Sequence, residues 1–135
     1  MKKLFLFLLL SLFLVYPTLA AAVSSGGASP GVKPKSQPLR SGVASMYGPG
    51  IFQTASGRTV DSDRHRFTAH KTLPFGSRVL IQRGGKRVVV VVVDRGPYIS
   101  GRDWDLSYRA ASKIGLLQAG VGHVRYRVLS RGRGL

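Results

Sequence analysis

The stretch Arg78-Val79-Leu80-Ile81-Gln82-Arg83-Gly84-Gly85-Lys86-Arg87-Val88-Val89-Val90-Val91-Val92-Val93-Asp94-Arg95-Gly96-Pro97 decides the fold. Arg78 to Gln82 is rich in Val, Leu and Ile, side chains that suit an extended backbone. Arg83-Gly84-Gly85-Lys86 predicts a hairpin turn, because two adjacent glycines tolerate a positive φ at which other residues would clash. The six valines 88–93 predict the returning strand. A run apolar on both faces predicts cover on both sides, and six residues are far too few to span a bilayer.

Working outward, Val43, Ser45 and Tyr47 alternate with Ala44 and Met46, the period of a strand. A last strand is expected at Val124–Leu129, with Val124, Tyr126 and Val128 on one face and Arg125 and Arg127 on the other. One short helix is expected at Tyr108–Ile114. Ser107 caps its start and Gly115 takes the left-handed position past its end. Short strands, Gly-rich turns and one or two short helices predict an all-β class, a closed or nearly closed barrel. Nothing supports a βαβ nucleotide-binding layout.

The chain has 135 residues, room for one compact domain of about 100 residues with flanking segments. Met1-Lys2-Lys3, the uncharged apolar run Leu4–Tyr16, then Pro17 and Ala20-Ala21-Ala22 have the layout of an export signal over residues 1–22, cleaved after Ala20 or Ala22. The competing reading is an uncleaved anchor, since Leu4–Val23 carries no charge. Residues 23–40, rich in Ser, Gly and Pro, read as a spacer without enough apolar surface to fold. Residues 41–130 form the expected domain and 131–135 a basic tail. These features predict an exported protein of the periplasm or cell envelope. Without Cys there is no lipid attachment, and no stable membrane insertion is expected after cleavage.

The composition narrows the chemistry. There is no Cys, which removes disulfides, thiolate nucleophiles and Cys-based zinc sites. All five acids are Asp (Asp61, Asp63, Asp94, Asp103, Asp105), so no Glu serves as acid or base. The three histidines, His65, His70 and His123, lack paired metal-ligand spacing, and neither metal nor cofactor is expected. The formal charge is +16, and from Ser41 onward 16 Lys and Arg face five Asp, a net of +11. That charge attracts polyanions in general. Export and the absence of any nucleic-acid-binding motif argue against nucleic acid.

Three stretches together, Gly42-Val43-Ala44-Ser45-Met46-Tyr47-Gly48, Thr68-Ala69-His70-Lys71-Thr72-Leu73-Pro74-Phe75-Gly76-Ser77, and Val93-Asp94-Arg95-Gly96-Pro97-Tyr98 followed by Asp105-Leu106-Ser107, resemble the RlpA (rare lipoprotein A) family. The resemblance implies a six-stranded double-psi β-barrel, barwin- and expansin-like. It also implies an endolytic lytic transglycosylase that cleaves MurNAc–GlcNAc bonds of stem-peptide-poor glycan strands and leaves 1,6-anhydro ends. It places the family's catalytic Asp on Asp94 and its neighbouring His on His70. In Thr54-Ala55-Ser56-Gly57-Arg58 the family's catalytic Glu is replaced by Arg58, a cation that cannot donate a proton. Asp61, three residues on, reads as a turn carboxylate by its setting, the alternative being that it reaches the cleft in place of the Glu; Asp105 reads as favouring the positive end of the following helix, while the resembled family keeps an Asp-Leu-Ser here beside its cleft. Arg58, Tyr47, Arg95 and Tyr98 are the expected substrate contacts. Trp104 is either a sugar platform or core. The expected partners are peptidoglycan glycan strands and septal cell-division proteins, and the expected state is a monomer. The other reading is a non-catalytic expansin-like wall-binding module.

Overall fold

The structure, a computed structural model, describes residues 36–134. The expected export signal and residues 23–35 of the expected spacer lie outside the described residues. In chain order the elements are β1 (Arg40–Met46), β2 (Ile51–Gln53), β3 (Thr59–Asp61), β4 (Phe67–Ala69), β5 (Arg78–Arg83), β6 (Lys86–Asp94), β7 (Trp104–Leu106), α1 (Tyr108–Lys113) and β8 (Gly122–Ser130).

The hairpin that opens the sequence reading forms as β5 and β6, paired antiparallel from Arg78↔Val91 to Arg83↔Lys86. Of the two turn glycines only Gly84 takes a positive φ, +57°. This is the requirement of a turn whose first central residue alone is left-handed. β8 pairs antiparallel with β5 and with β1. Two parallel pairs, β1 with β7 and β4 with β6, then cross the molecule, and an antiparallel β4–β7 contact joins them. The result is a closed barrel in the order β1-β7-β4-β6-β5-β8, with β2 and β3 as a separate two-stranded ribbon. Closure leaves no free sheet edge within the barrel.

Val79, Ile81, Val90, Val92, Trp104, Leu106 and Ala44 are fully buried and fill the barrel with Val88 and Val124. Burying each Val, Leu or Ile contributes roughly 1.5–3 kcal/mol relative to exposure. α1 closes one side with Ala110 and Ala111; Ser107 accepts from the Ala110 amide at its start, and Gly115 follows Ile114 with φ +68°.

The valine run departs from its expected double cover. Val88, Val90 and Val92 are buried in the barrel, whereas Val89 and Val91 on the outer face are only half-buried. Outside the barrel, Val93 joins a small second core with Val60 and Phe67, against which Tyr47, Phe52 and Val91 pack. The β2–β3 ribbon supplies this cover, so it ties one end of β6 to an outer layer and leaves the rest of that face open.

Candidate functional site

The site grows from a register irregularity. β4 pairs with β6 as Phe67↔Val91 and Thr68↔Val92, then shifts so that Ala69 stands opposite Asp94. On its other edge Ala69 stands opposite Asp105 of β7, and Asp105 in turn stands opposite Ser45 of β1. Asp94, Ala69, Asp105 and Ser45 therefore lie in a row across four adjacent strands. The two carboxylate-bearing backbones are two strand spacings apart, about 9–10 Å, and only a methyl group stands between them.

Asp94 ends β6 and is partly exposed. Its Oδ2 accepts from Tyr47 Oη at 2.5 Å, and its Oδ1 accepts from the Ala55 amide at 2.8 Å and the Arg95 amide at 2.9 Å. With both oxygens accepting, the group is arranged as an acceptor-only carboxylate. Tyr47 is held by edge-on packing against Phe52 and Phe67. Burial, and then the hydrogen bond to Asp94, push its phenol well above the usual tyrosine range, so it is a fixed proton donor to Asp94.

Asp105 was expected to serve the helix N-terminus. Its Oδ1 instead accepts from Ser45 Oγ at 3.2 Å, across the sheet. Burial raises its pKa above the usual carboxylate range, the negative Asp94 adds to the rise, and the Ser45 hydrogen bond and Arg102 oppose it. The site thus holds two carboxylates in unlike settings. Sequence analysis proposed Asp94 as catalytic and read Asp105 mainly as structural. The signal for the second was the Asp-Leu-Ser stretch, whose side chain only the β1–β7–β4 register brings to the site.

His70 follows β4 immediately, and its amide donates to the Asp94 carbonyl at 3.2 Å. Its Nδ1 accepts from the amides of Thr72 and Leu73, at 3.2 and 3.0 Å, which places the proton of the neutral ring on Nε2. The ring packs on Trp104 with centroids 4.5 Å apart. Burial lowers its pKa, Arg95 and Lys71 act the same way, and Asp103 opposes them. Trp104 is fully buried, so it belongs to the core and offers no sugar platform.

Tyr98 is 84 % exposed and Ile99 56 %. The Tyr98 ring lies against Gly96, where an added Cβ would touch ring carbons at 3.5–3.6 Å, and Gly96 has φ +111°. The aromatic ring thus stands in solvent just past the Asp94 turn, with its face open.

Arg95 Nη1 donates to the carbonyls of His70 at 3.1 Å and Leu73 at 2.8 Å, and its guanidinium lies 3.8 Å from the Phe75 ring centroid. It ties the 70–75 loop to the end of β6. Arg58 is exposed. Its backbone carbonyl closes the 54–58 loop by accepting from Thr54. Its side chain lines two cavities on the outer face of β6, neither of them lined by Asp94. Asp61 pairs with Arg64 at 3.3 Å and accepts from the Asp63 amide, the local bonding of a turn. His65 accepts from the Asp61 amide, and His65 and His123 are both exposed. Among the described residues no three His, Cys, Asp or Glu converge as metal ligands, and no helix is long and apolar enough to cross a membrane.

A closed six-stranded barrel built on two crossing parallel pairs is a double-psi β-barrel. Solved structures of low identity share it: Streptomyces papain inhibitor (TM-score 0.59, 21 % identity, covering 71 % of this chain and 98 % of that one) and Clavibacter michiganensis expansin (TM-score 0.57, 21 % identity, covering 72 % and 53 %). The lytic transglycolase family model matches residues 40–126, and the chain belongs to that family with a barrel of the RlpA type. It is 46 % identical over 90 residues to a probable endolytic peptidoglycan transglycosylase RlpA of Synechocystis, covering 64 % of this chain and 28 % of the relative. It is 43 % identical over 98 residues to the endolytic peptidoglycan transglycosylase RlpA of Pasteurella multocida, covering 70 % and 33 %. The corresponding Aquifex aeolicus protein is 44 % identical over 96 residues, covering 67 % and 42 %. The chain thus spans between about a quarter and two fifths of the length of these relatives.

Proposed function

We propose that the protein is an endolytic peptidoglycan lytic transglycosylase acting on MurNAc–GlcNAc bonds and leaving 1,6-anhydro-MurNAc ends. The observation that carries this reading is the pair Asp94 and Asp105, registered on either side of Ala69 in unlike environments. Asp105, whose protonated form burial favours, gives its proton to the glycosidic oxygen as the C1–O bond breaks. Positive charge develops at C1, and the sugar's own 6-hydroxyl attacks there. Its proton passes to Asp94, which uses three of its roughly four acceptor positions on Tyr47, Ala55 and Arg95 and keeps one for this role. No water is consumed, and proton exchange between the two carboxyls and solvent restores the starting state. Tyr98 carries the sugar ring, and His70 is held by the Thr72 and Leu73 amides with its proton on Nε2.

This assignment does not depend on a Glu at position 58. The names of the relatives support the substrate. The reading includes export through residues 1–22, a spacer over 23–40, action in the periplasm or envelope as a monomer, and septal division proteins as neighbours.

The test is incubation of the purified protein with glycan strands freed of stem peptides, followed by mass spectrometry for 1,6-anhydromuramyl products. Product from the wild type that disappears in both Asp94→Asn and Asp105→Asn supports the pair. Product surviving in Asp105→Asn assigns the acid role to Asp94. Binding without product from the wild type identifies an expansin-like binding module instead.

A further inference from the structure

The end of β1 gives each of the two carboxyls a hydroxyl of its own. Ser45 and Tyr47 are two positions apart on an extended chain, so their side chains lie on one face. The Tyr47 amide continues the ladder by donating to the Leu106 carbonyl at 2.8 Å. Tyr47 reaches Asp94 and Ser45 reaches Asp105. The proposed reaction gives Tyr47 a part and Ser45 none.

Ser45 is 4 % exposed, and a hydroxyl buried to that degree is costly without a partner. It has one proton and two acceptors in reach, Asp105 Oδ1 at 3.2 Å and the Trp104 carbonyl at 3.4 Å. Both lie beyond the distance of about 2.7–2.8 Å at which such bonds are usually found. The proton is therefore shared between a charge-bearing oxygen and a neutral one, and rotation about the Cβ–Oγ bond gives it wholly to either. The Asp105 backbone beside it is fixed. The β1–β7 register sets Ser45 opposite Asp105, and from β4 the fully buried Thr68 Oγ1 lies 3.1 Å from the Asp105 carbonyl. Among the described residues the Ser45 bond is the one hydrogen bond to the Asp105 carboxyl, and it falls on Oδ1.

We infer that Ser45 is a positioning residue for the acid: by donating to Asp105 Oδ1 it keeps the transferable proton on Oδ2, and it takes up the negative charge left when that proton goes. The inference rests on Asp105 being the acid of the proposed reaction. A proton on Oδ1 would point at Ser45 and be lost to the substrate. As the Oδ2–H bond breaks, its proton goes to the glycosidic oxygen and its electron pair stays on the carboxylate. Ser45 then turns from the Trp104 carbonyl onto Oδ1, where a charge-assisted bond is shorter and roughly twice as strong as a neutral one. The bond is stronger after transfer than before, the condition for lowering a barrier rather than only holding the ground state. The other charged or titratable groups that act on this carboxyl, Asp94 from β6, Arg102 ahead of β7 and Tyr47 from the end of β1, keep their places when Ser45 is changed.

Ser45→Ala removes the donor. Carbon-detected NMR of the purified full chain is expected to show Asp105 titrating at higher pH in this variant than in the wild type, because the carboxylate has lost its donor. Release of 1,6-anhydromuramyl product from glycan strands freed of stem peptides is followed over the same pH range. There kcat should fall roughly tenfold, with its alkaline limb moved upward in step with the NMR midpoint and KM little changed. Ser45→Thr restores the hydroxyl and should return both the midpoint and most of kcat. Should Ser45→Ala melt well below the wild type, Ser45→Cys, a weak donor of similar size, replaces it with the same expected direction. A midpoint that stays in place or falls overturns the inference, and a fall shows that Ser45 accepts a proton from Oδ1 instead of donating to it. So does a raised midpoint with wild-type kcat while Asp105→Asn abolishes product. Product surviving in Asp105→Asn overturns the acid assignment and the inference with it; a raised midpoint alongside it traces the failure to the reaction and not to the Ser45–Asp105 bond.

Discussion

Asp94 and Asp105, 11 positions apart in the chain, stand opposite the same residue, Ala69, on the two edges of β4. A three-residue strand with a methyl group at its end is what puts two carboxylates into one field. The arrangement costs stability, because one carboxyl is half-buried beside another of like charge. Such a cost is retained where it serves chemistry.

Asp105→Asn is therefore expected to stabilise the fold while removing turnover. The folded state holds the Asp105 pKa above its unfolded value, so at neutral pH ionisation works against folding. The amide keeps the shape and removes the charge. A gain of a fraction of 1 kcal/mol, about 2–4 °C in Tm, is expected at pH 7, where ~1 kcal/mol moves a domain of this size by about 4–8 °C. The gain should vanish near pH 3, where the wild-type carboxyl is protonated in both states. Thermal melts at the two pH values check this, and a variant less stable than wild type at pH 7 contradicts it.

Asp94→Asn removes a negative charge that raises the Asp105 pKa. The Asp105 carboxyl should then titrate at lower pH than in the wild type, by carbon-detected NMR of the side chain. An unmoved midpoint would show that the two groups do not sense each other.

Tyr47→Phe isolates one hydrogen bond. The ring contacts with Phe52 and Phe67, at 5.2 Å each, survive the change, and only the donor to Asp94 is lost. A bond to a charged group contributes ~1.5–3 kcal/mol, so kcat should fall roughly 10- to 100-fold with the fold intact. A wild-type kcat in a variant that folds normally would remove Tyr47 from the site.

The hairpin, β8, the helix cap and the position of Asp94 were legible because each rests on a local pattern: alternation, a glycine pair, a Ser before Ala-rich residues, a carboxylate ending a valine run. The strands β2, β3, β4 and β7 have three residues each, too short to carry a period. With β4 and β7 hidden, the register that joins Asp105 to Asp94 was hidden too, and only the resemblance, not the residue pattern, set Asp105 beside a cleft rather than ahead of a helix. Tyr47 was read as a sugar contact, since its bond to Asp94 spans 47 positions and leaves no trace in spacing. Arg95 was read as a contact for substrate from its place beside Asp94; the carbonyls of His70 and Leu73 that occupy it lie more than 20 positions upstream.

His70 gives the fold a dependence on pH. Its folded pKa is depressed below the ordinary value near 6.5, so on acidification the unfolded chain takes up this proton first. Stability carried by the neutral ring is lost as pH falls below about 6.5 toward the folded value. Burial is the main cause, Arg95 and Lys71 add to it, and a protonated Nδ1 would also face the Thr72 and Leu73 amides, two donors. Asn at position 70 keeps an acceptor near the Nδ1 position and does not titrate. The difference in unfolding free energy between pH 7 and pH 5, from denaturant titration, should be smaller in His70→Asn than in the wild type. An equal difference would assign the slope to another group.

Arg95 separates a supporting role from a binding one. Its Nη1 holds two carbonyls of the 70–75 loop and its plane lies over Phe75, a geometry a lysine cannot reproduce. Arg95→Lys keeps the charge, so a cation needed only to attract substrate would be conserved in function. The geometry instead predicts a loss of about 1–3 kcal/mol of stability, from two carbonyls left with a poorer donor and a lost stacking contact. Because the same loop carries His70, kcat should fall with stability while KM stays near its wild-type value. A KM increase in a variant of unchanged Tm would place the guanidinium on the substrate.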